Sequence, residues 1–227
     1  MKSLRAFVGV ALLMLACGQR AESKTLVVLA DSIYYGYDWA EDGPVQLMLP
    51  PPAALQALLR RASKAHPWRH ARVRNYAVPG TWTGEWITGP PRTAVCQKWG
   101  EMPHVAYACT NQVPLVEAVL AGMPRYDGVL LGLGLNDGLS QITVAESADN
   151  LALLAARMGG QVWIGAPTHV TNSSTDSRRA MLRDELVARG MLNGVDPVYL
   201  PLLADGVHLD ESGGPALGAL WFGVLVR

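Results

Sequence analysis

The sequence is poor in cysteine, carries no net charge and opens on an apolar run that is too short to span a membrane. Three of its 227 residues are cysteine, and 19 lysine and arginine residues balance 19 aspartate and glutamate residues. Balanced charge gives no long-range attraction to nucleic acid or to an anionic membrane, so neither is an expected partner. With 50% hydrophobic and 17% charged residues, the chain has the composition of a globular domain.

The N-terminal segment has the pattern of a secretory signal peptide. Lys2 and Arg5 precede an apolar run of 11 residues at 6–16, whereas a membrane-spanning helix needs about 20. The alternative is a buried core helix, which the polar Gly18-Gln19-Arg20 that follows disfavours. We therefore expect residues 1–23 to be a signal peptide and residues 24–227 to be the mature domain of an exported protein.

Two cleavage sites compete within this segment. Ala21-Glu22-Ser23 resembles the small-x-small pattern that precedes a signal peptidase cut, whereas Met14-Leu15-Ala16-Cys17 resembles a bacterial lipobox. We favour the lipobox, which would lipidate Cys17 and make the protein an envelope lipoprotein. The other site would release the protein to the periplasm or the medium. Membrane contact is expected only through the lipid anchor.

The two remaining cysteines are predicted to form a disulfide. Cys17 is lipidated or discarded in either case, which leaves Cys96 and Cys109 in an oxidising compartment. The chain-entropy model gives about 3 kcal/mol for closing a loop of roughly 14 residues. If residues 1–23 are not a signal peptide, two free buried cysteines become the better interpretation.

Beyond the leader, short apolar runs alternate with longer segments of helical period. The runs are 26–30, 73–77, 128–133, 162–166 and 195–200, and the helical segments are 52–63, 113–121, 144–158, 177–189 and 212–224. Continuously apolar strands are typical of a parallel sheet that helices cover on both faces. The order predicts one doubly wound α/β domain, a flavodoxin-like three-layer fold with about five parallel strands.

Residues 81–111 interrupt this alternation with a long segment rich in glycine, proline and tryptophan. Long loops in compact domains are usually functional or disordered. The predicted disulfide and Trp82, Trp86 and Trp99 favour order, so we expect a loop insertion that forms a wall or lid over the site. These tryptophans and Tyr34 are candidates for lining the substrate pocket, although each could equally pack in a core.

Two motifs could form a nucleophile and its base. In Ala30-Asp31-Ser32-Ile33 a serine follows the first strand, at the sheet edge where α/β proteins bind ligands. In Asp205-Gly206-Val207-His208 the carboxylate can accept the imidazole Nδ1 proton, which leaves Nε2 free to take a serine proton. Each motif alone could be an ordinary turn or helix cap. His169 follows another strand and is a rival base, but it lacks an acidic partner at close spacing.

Two further motifs could hold an oxyanion. Gly80 ends the second strand segment, where its amide can approach a ligand without steric obstruction. Asn136, in Gly132-Leu133-Gly134-Leu135-Asn136-Asp137-Gly138, could donate from its side-chain amide. The spacing of these glycines does not fit the dinucleotide-binding pattern. Simple turn geometry is the alternative for both motifs.

These four blocks, in this order and after different strands, resemble the SGNH hydrolases, also called GDSL esterases and lipases. The resemblance covers nearly all of the chain after the leader. It departs at Ala30, where the family usually has glycine, and at Ile33, where it usually has leucine. These departures leave the subfamily open.

The resemblance implies a catalytic triad of Ser32, His208 and Asp205, and an oxyanion hole of the Ser32 amide, the Gly80 amide and Asn136. No metal or cofactor is implied. The expected activity is hydrolysis of carboxylic esters through an acyl-enzyme, with a short acyl or acetyl ester of a glycan or another polar alcohol as substrate. An O-acyltransferase or a glycan-binding envelope protein on the same fold is the alternative.

Overall fold

The computed structural model describes residues 23–40, 43–123, 125–139, 142–171 and 173–226. The predicted signal peptide, both cleavage sites and Cys17 lie outside these ranges, apart from Ser23. The strands are β1 (Thr25–Ala30), β2 (Tyr37–Ala40), β3 (Gly43–Gln46), β4 (Arg72–Asn75), β5 (Gly128–Gly132) and β6 (Gln161–Ile164). The helices are α1 (Ser32–Tyr35), α2 (Pro51–Arg61), α3 (Thr83–Ile87), α4 (Thr93–Trp99), α5 (Pro103–Asn111), α6 (Leu115–Gly122), α7 (Val144–Met158), α8 (Ser173–Ala188) and α9 (Gly213–Val224), with a 3₁₀ helix at Asn136–Leu139.

Within the described residues, four parallel strands form the central sheet in the order β4-β1-β5-β6. β1 lies inside the sheet, and its side chains alternate between two cores. Val27 and Leu29 pack on one face, whereas Leu26 and Val28 pack on the other. Because both faces are buried, the strand is apolar from Leu26 to Ala30, as its sequence predicted.

Helices cover both faces of the sheet, which confirms the predicted three-layer fold. α6, α7 and α8 contribute Val119, Leu151 and Leu186 to the core on one face. On the other face α2 and α9 pack against each other and contribute Leu55 and Leu217. The order of the four strands places β1 and β5 side by side at the centre, so the segments that follow them emerge together at one edge of the sheet.

The predicted fifth strand at 195–200 is not a strand in the structure. A single bridge joins Leu192 to Ile164 of β6, and Ala166 N–H donates to the Val195 carbonyl at 2.8 Å. Pro197 and Pro201 lie within or next to the segment and have no N–H to donate, so a regular ladder cannot continue there. The described residues therefore form a parallel sheet of four strands, where about five were predicted.

The segment 81–111 is more regular than predicted, since it contains α3, α4 and α5 instead of an open loop. The structure joins Cys96 of α4 to Cys109 of α5 in the expected disulfide, with 5.9 Å between their Cα atoms. Trp86 is fully buried in the core beneath these helices. The segment therefore forms a structured wall. Among the described residues, no helix has the length and apolar character needed to cross a membrane.

Candidate active site

Ser32 is held at the sheet edge by the turn that joins β1 to α1. Asp31 caps α1, and its Oδ1 accepts the Ile33 N–H at 3.1 Å. Gly36 ends this short helix in the left-handed region, at φ 76°. Ser32 is the first residue of α1 and is 5% exposed, so its hydroxyl is fixed at the carboxyl end of a central strand.

The structure brings His208 and Asp205 to Ser32 from the far end of the chain. His208 Nε2 lies 3.2 Å from Ser32 Oγ, and His208 Nδ1 lies 2.6 Å from Asp205 Oδ2. The backbone N–H groups of Val207 and His208 donate to Asp205 Oδ1 at 2.9 and 3.0 Å. The carboxylate therefore sets the turn that carries the imidazole and also fixes the imidazole orientation.

The surroundings of Asp205 keep its carboxylate ionised. Burial acts to raise its pKa, but hydrogen bonds from the His208 ring and from the Val207 and His208 amides outweigh burial and leave the pKa below its usual value. An ionised carboxylate can hold Nδ1 protonated, which leaves Nε2 as the proton acceptor toward Ser32. The three residues have the geometry of a serine nucleophile with an oriented base.

Gly80 and Asn136 line the same cavity as Ser32. Gly80 adopts φ 74°, a left-handed conformation that favours glycine, and a Cβ there would meet nothing within 4 Å. Asn136 Nδ2 donates one proton to the Thr81 carbonyl at 3.2 Å, which leaves its second proton for a ligand. Both residues line the same cavity as Ser32, so their donors can face one oxyanion.

Asp137 anchors the turn that presents Asn136. Its carboxylate is fully buried and accepts the Thr83 N–H at 2.8 Å and the Thr83 hydroxyl at 2.7 Å. Asn150 of α7 donates to the same hydroxyl at 3.1 Å. These bonds tie the 3₁₀ helix to the first turn of α3. Sequence reasoning had treated Asp137 only as a turn residue.

Sequence reasoning also missed Arg92 and Glu85, which hold the Gly80 turn. Arg92 Nη2 donates to the Gly80 carbonyl at 2.6 Å, and Arg92 Nε donates to Glu85 Oε1 at 2.8 Å. Glu85 is 4% exposed and also accepts the backbone N–H groups of Trp82 and Arg92, both at 2.8 Å. A glutamate three residues after a helix start is a capping signal, but only the fold shows that it reaches Arg92.

The catalytic cavity has a volume of about 300 Å³. It is lined by Ser32, Pro79, Gly80, Arg92, Ala94, Val95, Lys98, Trp99, Asn136 and His208. Trp99 lines it as expected. Trp82 is absent from this lining, and the Arg92 guanidinium stacks 3.5 Å from the centre of its ring.

Two of the predicted lining residues belong to the core instead. Tyr34 is 3% exposed, and its hydroxyl accepts a hydrogen bond from Trp221 Nε1 at 3.0 Å. Its ring occupies the space that a side chain at Gly132 would fill. Trp86 is fully buried, and its Nε1 donates to Thr81 Oγ1 at 3.0 Å. Both rings face inward because the core gives each ring apolar contacts and one hydrogen-bond partner.

His169, the rival base, has an acidic partner after all but lies away from the nucleophile. Its Nδ1 is 2.9 Å from Asp176 Oδ1, and Arg179 Nε donates to the same oxygen at 2.7 Å. The partner lies seven residues away on α8, which spacing alone did not reveal. His169 lines a separate cavity, with Tyr199 and Gly206. His208 is the histidine that reaches Ser32.

A search of the described residues finds no cluster of three or more histidine, cysteine, aspartate or glutamate side chains that could hold a metal ion. The donors around Ser32 are amide N–H groups and an asparagine side chain, which suit an anionic oxygen and not a cation.

The fold matches solved structures of esterases at low sequence identity. A carbohydrate acetylesterase family member from Sinorhizobium meliloti has a TM-score of 0.61 and 19% identity, with 89% of this chain and 97% of that chain covered. An aryl esterase from M. smegmatis has a TM-score of 0.59 and 14% identity, covering 86% and 95%.

A lipolytic protein of the G-D-S-L family from Desulfitobacterium hafniense DCB-2 matches with a TM-score of 0.54 and 14% identity, covering 88% of this chain and 99% of that chain. No protein-family model and no curated protein matches the chain. These likenesses show that the chain shares the α/β fold of these proteins over most of its length.

Proposed function

We propose that this protein is a serine-dependent hydrolase of carboxylic esters that works through an acyl-enzyme. The proposal rests on two connected contacts. Ser32 Oγ lies 3.2 Å from His208 Nε2, and His208 Nδ1 lies 2.6 Å from Asp205 Oδ2. A hydroxyl, a base and an ionised carboxylate in this order form an activated nucleophile on many unrelated folds.

In the proposed reaction, Ser32 Oγ attacks the ester carbonyl while His208 Nε2 takes its proton. The negative charge that develops on the carbonyl oxygen is held by N–H groups of Ser32, Gly80 and Asn136. His208 then gives its proton to the departing alcohol, and the acyl group stays on Ser32. Water attacks this ester in the same way, with His208 as base, and releases the carboxylic acid.

We propose a short acyl group, such as acetyl, on a glycan or another polar alcohol as the substrate. The size of the cavity, about 300 Å³, supports a small acyl group. Among the structural neighbours, two proteins from Sinorhizobium meliloti are described as carbohydrate acetylesterases. The Cys96–Cys109 disulfide supports an exported location, because such bonds persist in oxidising compartments.

The test of the reaction compares wild type with Ser32→Ala on 4-nitrophenyl acetate and on a fluorophosphonate probe. We expect kcat to fall by a factor on the order of 10⁶ and labelling to vanish, because the nucleophile is gone. Ser63→Ala is the matched control, since Ser63 is exposed and lies outside the cavity. Labelling that persists in Ser32→Ala would contradict the assignment.

An acyltransferase would keep the same three residues, since only the acceptor differs. The two reactions are separated by measuring acetate and acetylated product with water alone and with added sugar alcohols. We expect free acetate as the main product in both conditions. Acetylated sugar alcohol in excess over acetate would assign the protein as a transferase.

A further inference from the structure

Two of the described residues that line the cavity beside Ser32 have charged side chains, and both are cations. Arg92 and Lys98 contribute to its wall from either end of α4, and no aspartate or glutamate is among its described lining residues. The Asp205 carboxylate lies behind His208, and the Glu85 carboxylate lies behind Arg92. Among the described lining residues, the charged groups that a substrate can contact are therefore cations and not carboxylates.

Arg92 is held rigidly, yet part of its guanidinium remains available. Nε and Nη2 bond to Glu85, and Nη2 also donates to the Gly80 carbonyl. Nη1 makes no hydrogen bond with any residue that the structure describes, and the Arg92 side chain is 36% exposed. The Trp82 ring beneath the guanidinium fixes its plane. Two N–H donors of Nη1 are thus pre-oriented, which lowers the entropy lost when a ligand binds them.

Lys98 adds a second positive charge near the end of α4. Its Nζ lies 5.3 Å from the centre of the Trp99 ring, and Trp99 itself lines the cavity. The aromatic ring supplies an apolar surface below the ammonium group. The cavity wall at this end of α4 thus combines an apolar ring with a cationic side chain.

We propose that the cavity selects esters that carry a carboxylate near the scissile bond, with Arg92 Nη1 as its hydrogen-bond donor. This inference rests on the proposed ester hydrolysis and specifies its substrate class. Guanidinium N–H groups match carboxylate oxygens in geometry and charge. Arg92 thereby has two roles, since it positions Gly80 and it determines specificity.

The experiment compares esters that differ only in a carboxylate and its neutral carboxamide equivalent. 4-Acetoxybenzoate and 4-acetoxybenzamide place the difference on the alcohol side, and monoethyl succinate and ethyl succinamate place it on the acyl side. The para position of the aryl pair prevents the carboxylate from attacking its own ester. Rates are followed by absorbance for the aryl pair and by pH-stat for the alkyl pair.

We expect kcat/KM to favour the carboxylate by about 10-fold in at least one pair. This value is at the low end for a hydrogen bond to a charged group, because Glu85 already compensates part of the Arg92 charge. Because charge attraction is screened, the preference should shrink in 0.5 M sodium chloride. The ratio of the two kcat/KM values is the measured quantity, since any loss of Gly80 positioning affects both esters of a pair alike.

One variant tests the guanidinium. Arg92→Lys keeps the charge beside buried Glu85 but loses the planar Nη1 donors. It should lower the carboxylate preference at least twofold. Lys64→Gln is the matched control, because Lys64 is exposed and lies outside the cavity. It should retain the full preference.

Equal kcat/KM for both members of both pairs would overturn the inference while leaving ester hydrolysis in place. A preference that survives Arg92→Lys would also overturn it, because the recognition would then lie elsewhere. Failure to hydrolyse any of the four esters, together with no fluorophosphonate labelling, would contradict the proposed function itself.

Discussion

Asp31, the residue before the nucleophile, should make the stability of this protein fall as pH rises from 5 to 7. Its side chain is 1% exposed, and it accepts the Ile33 N–H as the cap of α1. Burial raises the pKa of Asp31 to about 7, and the negative charge of nearby Asp137 adds to the increase. The folded protein therefore holds a carboxyl proton that the unfolded chain has already released.

The magnitude follows from this difference in bound protons. Between the unfolded pKa of 3.8 and the folded pKa of about 7, the folded state binds one more proton at Asp31 than the unfolded state does. Stability then decreases with pH by up to about 1.4 kcal/mol per unit. Integrated from pH 5 to pH 7, where the folded group begins to ionise, the loss is about 2 kcal/mol.

Asp31→Asn removes this titration and keeps an oxygen that can cap α1. The free energy of unfolding of wild type and variant is measured by urea denaturation at half-unit steps from pH 5 to pH 8. We expect the variant to gain about 2 kcal/mol relative to wild type between pH 5 and pH 7, because only the wild type has a carboxyl group that binds a proton in the folded state and releases it in the unfolded chain. A difference between the two proteins that does not change with pH would refute the reasoning.

Two further changes probe the oxyanion hole and the wall segment. Asn136→Ala should lower kcat by about 100- to 1000-fold with little change in KM, because one transition-state donor is lost while Ser32 remains reactive to fluorophosphonate. Asn111→Ala, on the exposed end of α5, is the control. An unchanged kcat in Asn136→Ala would show that this residue is not part of the oxyanion hole. Replacing Cys96 and Cys109 together by serine should lower the free energy of unfolding in urea by about 3 kcal/mol, because a loop of roughly 14 residues is no longer closed; an unchanged urea midpoint would contradict this.

The sequence predicted the elements that depend on local pattern. Continuous apolar runs identified the central strands, and helix α7 has the bounds that its period predicted, Val144–Met158. The Ser32 and Asp205-His208 motifs were found because each sits directly after an apolar run or before a helix, and a predicted parallel sheet placed both motifs at one edge. The joint order of four short motifs was informative where each alone was not.

The parts that could not be predicted depend on contacts between distant residues. Tyr34 and Trp86 face the core because Trp221 and Thr81 supply hydrogen-bond partners for their polar atoms. The pairing of Arg92 with the Gly80 carbonyl spans 12 residues and follows no helical or strand period. Hydrophobic periodicity carries no information on such pairs, since they depend on how the chain turns between elements.

The hydrogen bond between Ser32 and His208 joins positions 176 residues apart. Ser32 lies in the turn after β1, and His208 lies just before α9, so the two side chains meet only when the chain from β1 to residue 208 has been synthesised. Closing so long a loop costs conformational entropy, and the intervening strands and helices must be in place to offset that cost. A nascent chain that ends before residue 205 contains Ser32 but neither His208 nor Asp205. The proposed esterase activity would therefore serve as a readout of the folding of this α/β domain in cotranslational experiments.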